Sequence, residues 1–154
     1  MITFDLDIEA PPEQVWEVWT DAVAWPRWNP TITRLTALGG ADALDLGVRA
    51  RVKQPQLPAS TWTVTQWAPM SHWEWQARST GVTTTALHEL TDLGGGRTHV
   101  VATVRHTGLL AGAVGRLSEG LTRQYVEREV TALARRCEGG SDLDRRPTPD
   151  GLRH

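Results

Sequence analysis

Leu109–Cys137, LLAGAVGRLSEGLTRQYVEREVTALARRC, decides how the rest of the chain must be arranged. Past its opening glycines the stretch reads as one long amphipathic helix. Leu110, Val114, Leu117, Leu121 and Tyr125 recur at three- and four-residue steps and share one face. Val126, Val130, Leu133 and Cys137 form a second apolar stripe. At about 3.6 residues per turn it lies roughly opposite the first. A helix that changes its buried face midway passes under a curved sheet or is covered on two sides. Gly120 sits near the changeover and permits a bend there. Almost everything before the helix reads as strand. The expected fold class is therefore α+β: a curved antiparallel sheet of about seven strands wrapped on a long C-terminal helix, with space between them.

Working back from the helix, the strands follow by alternation. Val100, Ala102, Val104 and His106 alternate with Val101, Thr103 and Arg105, and Thr84, Ala86, His88 and Leu90 alternate with Thr83, Thr85, Leu87 and Glu89. Trp73, Trp75 and Ala77 share a parity, as do Trp62, Val64 and Gln66, and Val48, Ala50 and Val52. Turn chemistry sets the registers. A two-residue Thr80-Gly81 turn pairs Trp73 with His88 and Trp75 with Ala86. A glycine loop centred on Gly95 pairs His88 with Ala102 and Thr84 with His106. A four-residue turn at Ala68–Ser71 pairs Trp67 with His72, Trp75 with Val64 and Ala77 with Trp62. In each hairpin the inward set meets the inward set, and a one-residue slip would mix the two faces. Trp67 then falls on the outer parity, where it reads as an exposed contact or a dimer patch.

At the other end, Ile2, Phe4, Leu6 and Ile8 make a half-buried first strand. Pro11 and Pro12 stop it and open a helix with Val15, Trp16 and Trp19 on its apolar face. Asp21 is the candidate cap for a second short helix, AVAWPRW, and Asn29-Pro30 ends that unit before a strand over residues 31–38. Two short helices thus lie between the first and second strands. Residues 1–137 are expected to form the domain, and residues 138–154, EGGSDLDRRPTPDGLRH, polar and aperiodic, are expected to be a flexible tail.

Composition narrows the function classes. A chain of 154 residues with a net charge of −2 and no basic stripe excludes a nucleic-acid partner. No apolar run inserts into a membrane, and the start, MITFDLDIEA, is no signal peptide, so a cytoplasmic protein is expected. The lone Cys137 sits on the late apolar stripe and reads as a core thiol. Neither a cofactor nor a metal is expected. His88 and His106 lie four pairs apart on neighbouring strands, about 13 Å at the strand rise, too far to share a zinc ion. Eight tryptophans against one tyrosine and one phenylalanine can fill a core or line a flat aromatic pocket.

Ala10-Pro11-Pro12-Glu13-Gln14-Val15-Trp16-Glu17-Val18, Trp25-Pro26-Arg27-Trp28-Asn29-Pro30, HELTDLGGGRTHVVATVRHTG and the long last helix together resemble the START-like superfamily, also called the polyketide cyclase/dehydrase and lipid-transport group (SRPBCC). The resemblance covers nearly all of residues 1–137 and implies the helix-grip fold of the birch pollen allergen. It implies three uses: a polyketide cyclase or dehydrase, a non-catalytic carrier or sensor of lipids and small molecules, or a co-chaperone-like interaction module. Active residues differ among members, so none is carried over.

The residues themselves point to a small, flat, hydrophobic molecule as the partner, which the resemblance implies is aromatic or polyketide-like, held by a monomer or homodimer. The inward polar groups are Gln66, Thr84, His88 and His106, with Tyr125 on the helix opposite. His88 is the candidate acid/base group, taking a proton next to a carbonyl, and Tyr125 the candidate donor to the resulting enolate. The structural alternative is a buried His88 stacked on Trp73. Trp62, Trp73, Trp75, Ala86 and Ala102, with Leu117 and Leu121 of the helix, are the candidate walls, and Trp25 and Trp28 the candidate cover.

Overall fold

Alternation builds the first strand and prolines end it. In the computed structural model, which describes residues 1–143, β1 runs Ile2–Ile8 with both terminal isoleucines buried. Helix α1 (Pro12–Thr20) follows, opened by a proline that sacrifices no hydrogen bond in the first turn, and buries Val15 and Trp19. A 3-10 helix (Ala22–Arg27) comes next. Asp21 does not cap it through its side chain; its backbone N–H closes on the Glu17 carbonyl instead. Strand β2 (Arg34–Ala37) starts later than alternation suggests. The Asn29 side-chain oxygen accepts from the Thr31 N–H at 3.0 Å and the Thr31 hydroxyl at 2.7 Å, so the chain is still turning there.

Strands β3 (Arg49–Lys53), β4 (Ser60–Ala68), β5 (His72–Ser79), β6 (Val82–Gly94) and β7 (Arg97–Thr107) complete one antiparallel sheet, ordered β1-β7-β6-β5-β4-β3-β2. The β5–β6 register pairs Trp73 with His88 and Trp75 with Ala86, and the β6–β7 register pairs His88 with Ala102 and Thr84 with His106. Between β4 and β5 the turn is one residue tighter than expected, pairing Ala68 with His72 and Trp67 with Trp73. A bulge between Val64 and Gln66 absorbs the difference, so Val64 still faces Trp75. Its consequence is a swap of faces. Gln66 is opposite Glu74 and exposed, while Trp67 turns in against Trp73 and packs on Trp16 of α1 at 5.3 Å between ring centroids. Trp67 is therefore a half-buried packing residue and not an outward patch. The swap buries an indole in place of an amide, the favourable direction for transfer from water.

Helix α2 (Ala111–Leu143) continues six residues past Cys137, into the segment expected to be tail; residues 144–154 lie outside the described residues. Val126, Val130, Leu133 and Cys137 are buried beneath β1 and β7 and beside α1. Burial raises the Cys137 thiol to about 12, which keeps it protonated and inert. The earlier stripe divides. Val114, Leu121 and Tyr125 face the sheet across a gap, but Leu117 is 90% exposed. Neighbours on a helix are about 100° apart, and with Ser118 directed at the sheet Leu117 is carried round to solvent.

The entry to α2 is the tightest backbone junction. Gly108 has φ +109°, and a Cβ there would lie 2.6 Å from the Gly81 carbonyl oxygen, which already accepts from the Leu110 N–H at 2.9 Å. Gly108→Ala is expected to cost about 2 kcal/mol or more in urea unfolding. Gly120, helical and with open space around its missing Cβ, is the control. Gly120→Ala should add about 0.5–1 kcal/mol.

Candidate functional site

Sheet and α2 do not close on each other along the first half of the helix. They enclose a cavity of about 330 Å³, within the range of small-molecule pockets. The sheet contributes Trp62, Trp75, Thr84, Ala86, His88, Ala102 and His106; the helix contributes Leu121, Tyr125 and Glu129; Trp25 and Ile32 cover one end. The mouth carries Arg78 and Ser79 and the loop after β3, through Gln54, Leu57 and Pro58. That loop is pinned from two sides. The Tyr125 hydroxyl donates to the Pro55 carbonyl, and the Lys53 ammonium donates to the carbonyls of Gln54, at 2.8 Å, and Leu57.

Four of the candidate site residues lie elsewhere. Gln66 is on the outer face because of the β4 bulge, and Leu117 is in solvent. Trp73 is fully buried behind His88, their rings stacked at 3.8 Å and 5°. Trp28 is the residue at which the chain leaves the 3-10 helix, with φ −134°, and it borders a shallow groove with Arg135 and Arg136 of α2. Trp25 takes the inward place. Its ring lies 5.4 Å from Trp75 and 5.8 Å from Trp73, and its indole N–H donates to the Trp19 carbonyl at 3.1 Å.

The chemistry of the buried end comes from two side chains. His88 Nδ1 is 3.2 Å from the Trp73 carbonyl, which can only accept, so Nδ1 carries the proton and Nε2 presents a lone pair. Burial lowers the imidazole to about 3, which leaves it a feeble base at neutral pH. Glu129 Oε2 stands 3.8 Å from that Nε2. The Glu129 side chain is only 15% exposed, and burial pushes its carboxyl up to about 7 against the opposing hydrogen bonds from Trp19 and Asn29. Those bonds are long: Trp19 Nε1 donates at 3.4 Å and Asn29 Nδ2 at 3.5 Å. Since burial favours the neutral form of both partners, the contact is a neutral pair rather than an ion pair.

Glu129 escaped the sequence reading because EREV looks like a solvated turn of helix. The signal was its position, three residues after Val126 and four before Leu133, on the line of the buried stripe. Toward the mouth, His106 Nδ1 is 2.9 Å from the Thr84 hydroxyl, and its Nε2 is buried without a hydrogen-bond partner. Tyr125 lines the cavity, but its hydroxyl is engaged by Pro55.

No curated protein matches the chain by sequence. Solved structures do match in fold. A hypothetical protein from Helicobacter pylori superposes with a TM-score of 0.76 at 10% identity, over 88% of this chain and 86% of its own. A protein from Thermus thermophilus gives 0.70 at 17% identity, over 91% and 98%. Norcoclaurine synthase from Thalictrum flavum, solved with dopamine and hydroxybenzaldehyde, gives 0.69 at 12% identity, over 96% and 88%. Identities this low carry the helix-grip fold and nothing finer. Among the described residues no helix is long and apolar enough to cross a membrane. The sequence itself settles the family: residues 1–138 match the profile described as polyketide cyclase / dehydrase and lipid transport, and the chain belongs to that family.

Proposed function

We propose that this protein binds a small, flat, largely apolar molecule in the cavity between sheet and helix. The observation that carries the reading is the cavity itself, about 330 Å³ with indole walls and a few directed polar groups. A hollow of this size supports a ligand holder over an interaction module with a collapsed pocket. The norcoclaurine synthase complex, with two aromatic molecules bound in the same fold, is in keeping with it.

Carriage or sensing is the simpler form of this function. Cyclisation or dehydration with His88 as base and Tyr125 as donor is the less favoured form. An imidazole at about 3 takes up a proton poorly at neutral pH, and the phenol is already committed to a backbone carbonyl.

Native mass spectrometry of freshly purified protein, followed by organic extraction, tests the reading. One apolar molecule per chain is the expected result. Ala86→Phe, which places a ring in the hollow, is expected to keep the fold and lower occupancy more than tenfold. An apo mass in every preparation, with no aromatic compound binding on titration, would sink it.

A further inference from the structure

The buried end of the cavity is short of hydrogen-bond donors. His88 Nε2 presents a lone pair, and the Glu129 Oε2 it faces is 3.8 Å away, beyond bonding distance. A carboxyl group has room for about four hydrogen bonds. Glu129 receives two, both long, from Trp19 and Asn29. Both side chains line the cavity. An acceptor, His88 Nε2, and a carboxyl that donates when protonated and accepts when ionised thus flank a gap that an oxygen atom of a ligand can bridge at ordinary hydrogen-bond lengths.

We propose that Glu129 and His88 Nε2 are the polar anchor of this cavity and that the ligand they take is an aromatic molecule carrying a neutral hydroxyl, a phenol or naphthol. The proposal rests on the ligand-binding reading above and gives that reading its chemical class. A hydroxyl both donates and accepts, which is what the gap requires. With the carboxyl protonated, Glu129 donates to the ligand oxygen and the ligand O–H donates to His88 Nε2. With the carboxyl ionised, the ligand O–H donates to the carboxylate. An ether oxygen offers no donor and leaves His88 Nε2 unpaired. An ammonium offers donors but brings a full charge into surroundings whose desolvation already opposes the carboxylate. The walls beyond the anchor are the indoles of Trp25 and Trp75, which suit an aromatic ring.

Calorimetric titration of the wild-type chain with 2-naphthol, 2-methoxynaphthalene and 1-naphthylmethylamine tests the anchor without any variant. 2-Naphthol is expected to bind roughly tenfold tighter than its methyl ether, the yield of one to two net hydrogen bonds. In protein labelled with 15N-histidine, 2-naphthol should shift the His88 Nε2 resonance and the ether should not. Glu129→Leu should reduce the preference to within about twofold while 2-methoxynaphthalene still binds. Equal affinity for naphthol and ether overturns the anchor and leaves the ligand-binding reading standing. Tightest binding of the amine overturns the hydroxyl class. Binding of none of the three overturns the ligand-binding reading and this proposal with it.

Discussion

Trp25→Ala is expected to destabilise the chain by about 3–5 kcal/mol, the range for truncating a fully buried tryptophan. At this chain length that lowers the melting temperature by roughly 6–20 °C. Trp25 is 0% exposed, and its ring packs edge-on or tilted against Trp28, Trp73, Trp75 and His88 at centroid separations of 5.4–6.2 Å. Its N–H bond to the Trp19 carbonyl ties the 3-10 helix back to α1. Truncation therefore leaves a void, removes several ring contacts and strands a buried carbonyl together. The void would join the ligand cavity, so the variant should also bind the naphthalene probes more weakly. Differential scanning calorimetry reads the first effect and titration the second. A loss under about 1 kcal/mol would mean that the cap packs by bulk alone and that the tryptophan cluster is not the centre of the core.

Glu129→Gln is expected to change how stability depends on pH. The carboxyl is raised from 4.5 to about 7 by burial, so the folded state prefers its protonated form. Its contribution is fully present below about pH 4.5 and lost as the pH rises through about 7. The shift amounts to roughly 3 kcal/mol between pH 4.5 and pH 8. His88 has the opposite sign, lowered from 6.5 to about 3, so its contribution is present above 6.5 and lost as the pH falls through about 3. It is common to both proteins and drops out of the comparison. Urea midpoints of wild type and Glu129→Gln at the two pH values isolate the glutamate. The variant should gain on the wild type by roughly 3 kcal/mol on going from pH 4.5 to pH 8. No relative gain would place the carboxyl in contact with water and remove the neutral-pair account of the buried end.

What could be read in advance was whatever depends on local rules. Thr80-Gly81 and the glycines around Gly95 fix their hairpins, and so the pairs Trp73–His88, Trp75–Ala86 and Thr84–His106 follow from turn length and alternation. The bulge beside Thr65 breaks alternation without a residue that announces it. The hint was energetic: strict parity would have exposed Trp67 and buried Gln66. Tyr125, His88 and Trp75 reach the cavity as helical and strand spacing place them, whereas Leu117 does not. A helix period gives the direction of a stripe but not which residue at its margin turns to water. Glu129 was obscured for a related reason. A charged residue within an apolar stripe looks like an interruption until Trp19 and Asn29, which approach from a distant segment, show what it meets.

The sheet order sets β1 beside β7, with Thr3 opposite Thr103, while β2 closes the far edge. The first two strands of the chain thus bound the sheet on opposite sides, and the first must wait for the last. At synthesis rates of about 5–20 residues per second, β1 stays unpaired for roughly 5–20 s while the segment up to β7 emerges. The meander from β2 to β6 can assemble hairpin by hairpin during that time, but its concave face remains wet until α2 arrives. Contacts this distant along the chain also make for slow closure once all parts are present. The cavity is therefore the last thing to form, and a nascent chain stalled before α2 exposes its tryptophans to whatever chaperone or aggregate reaches them first.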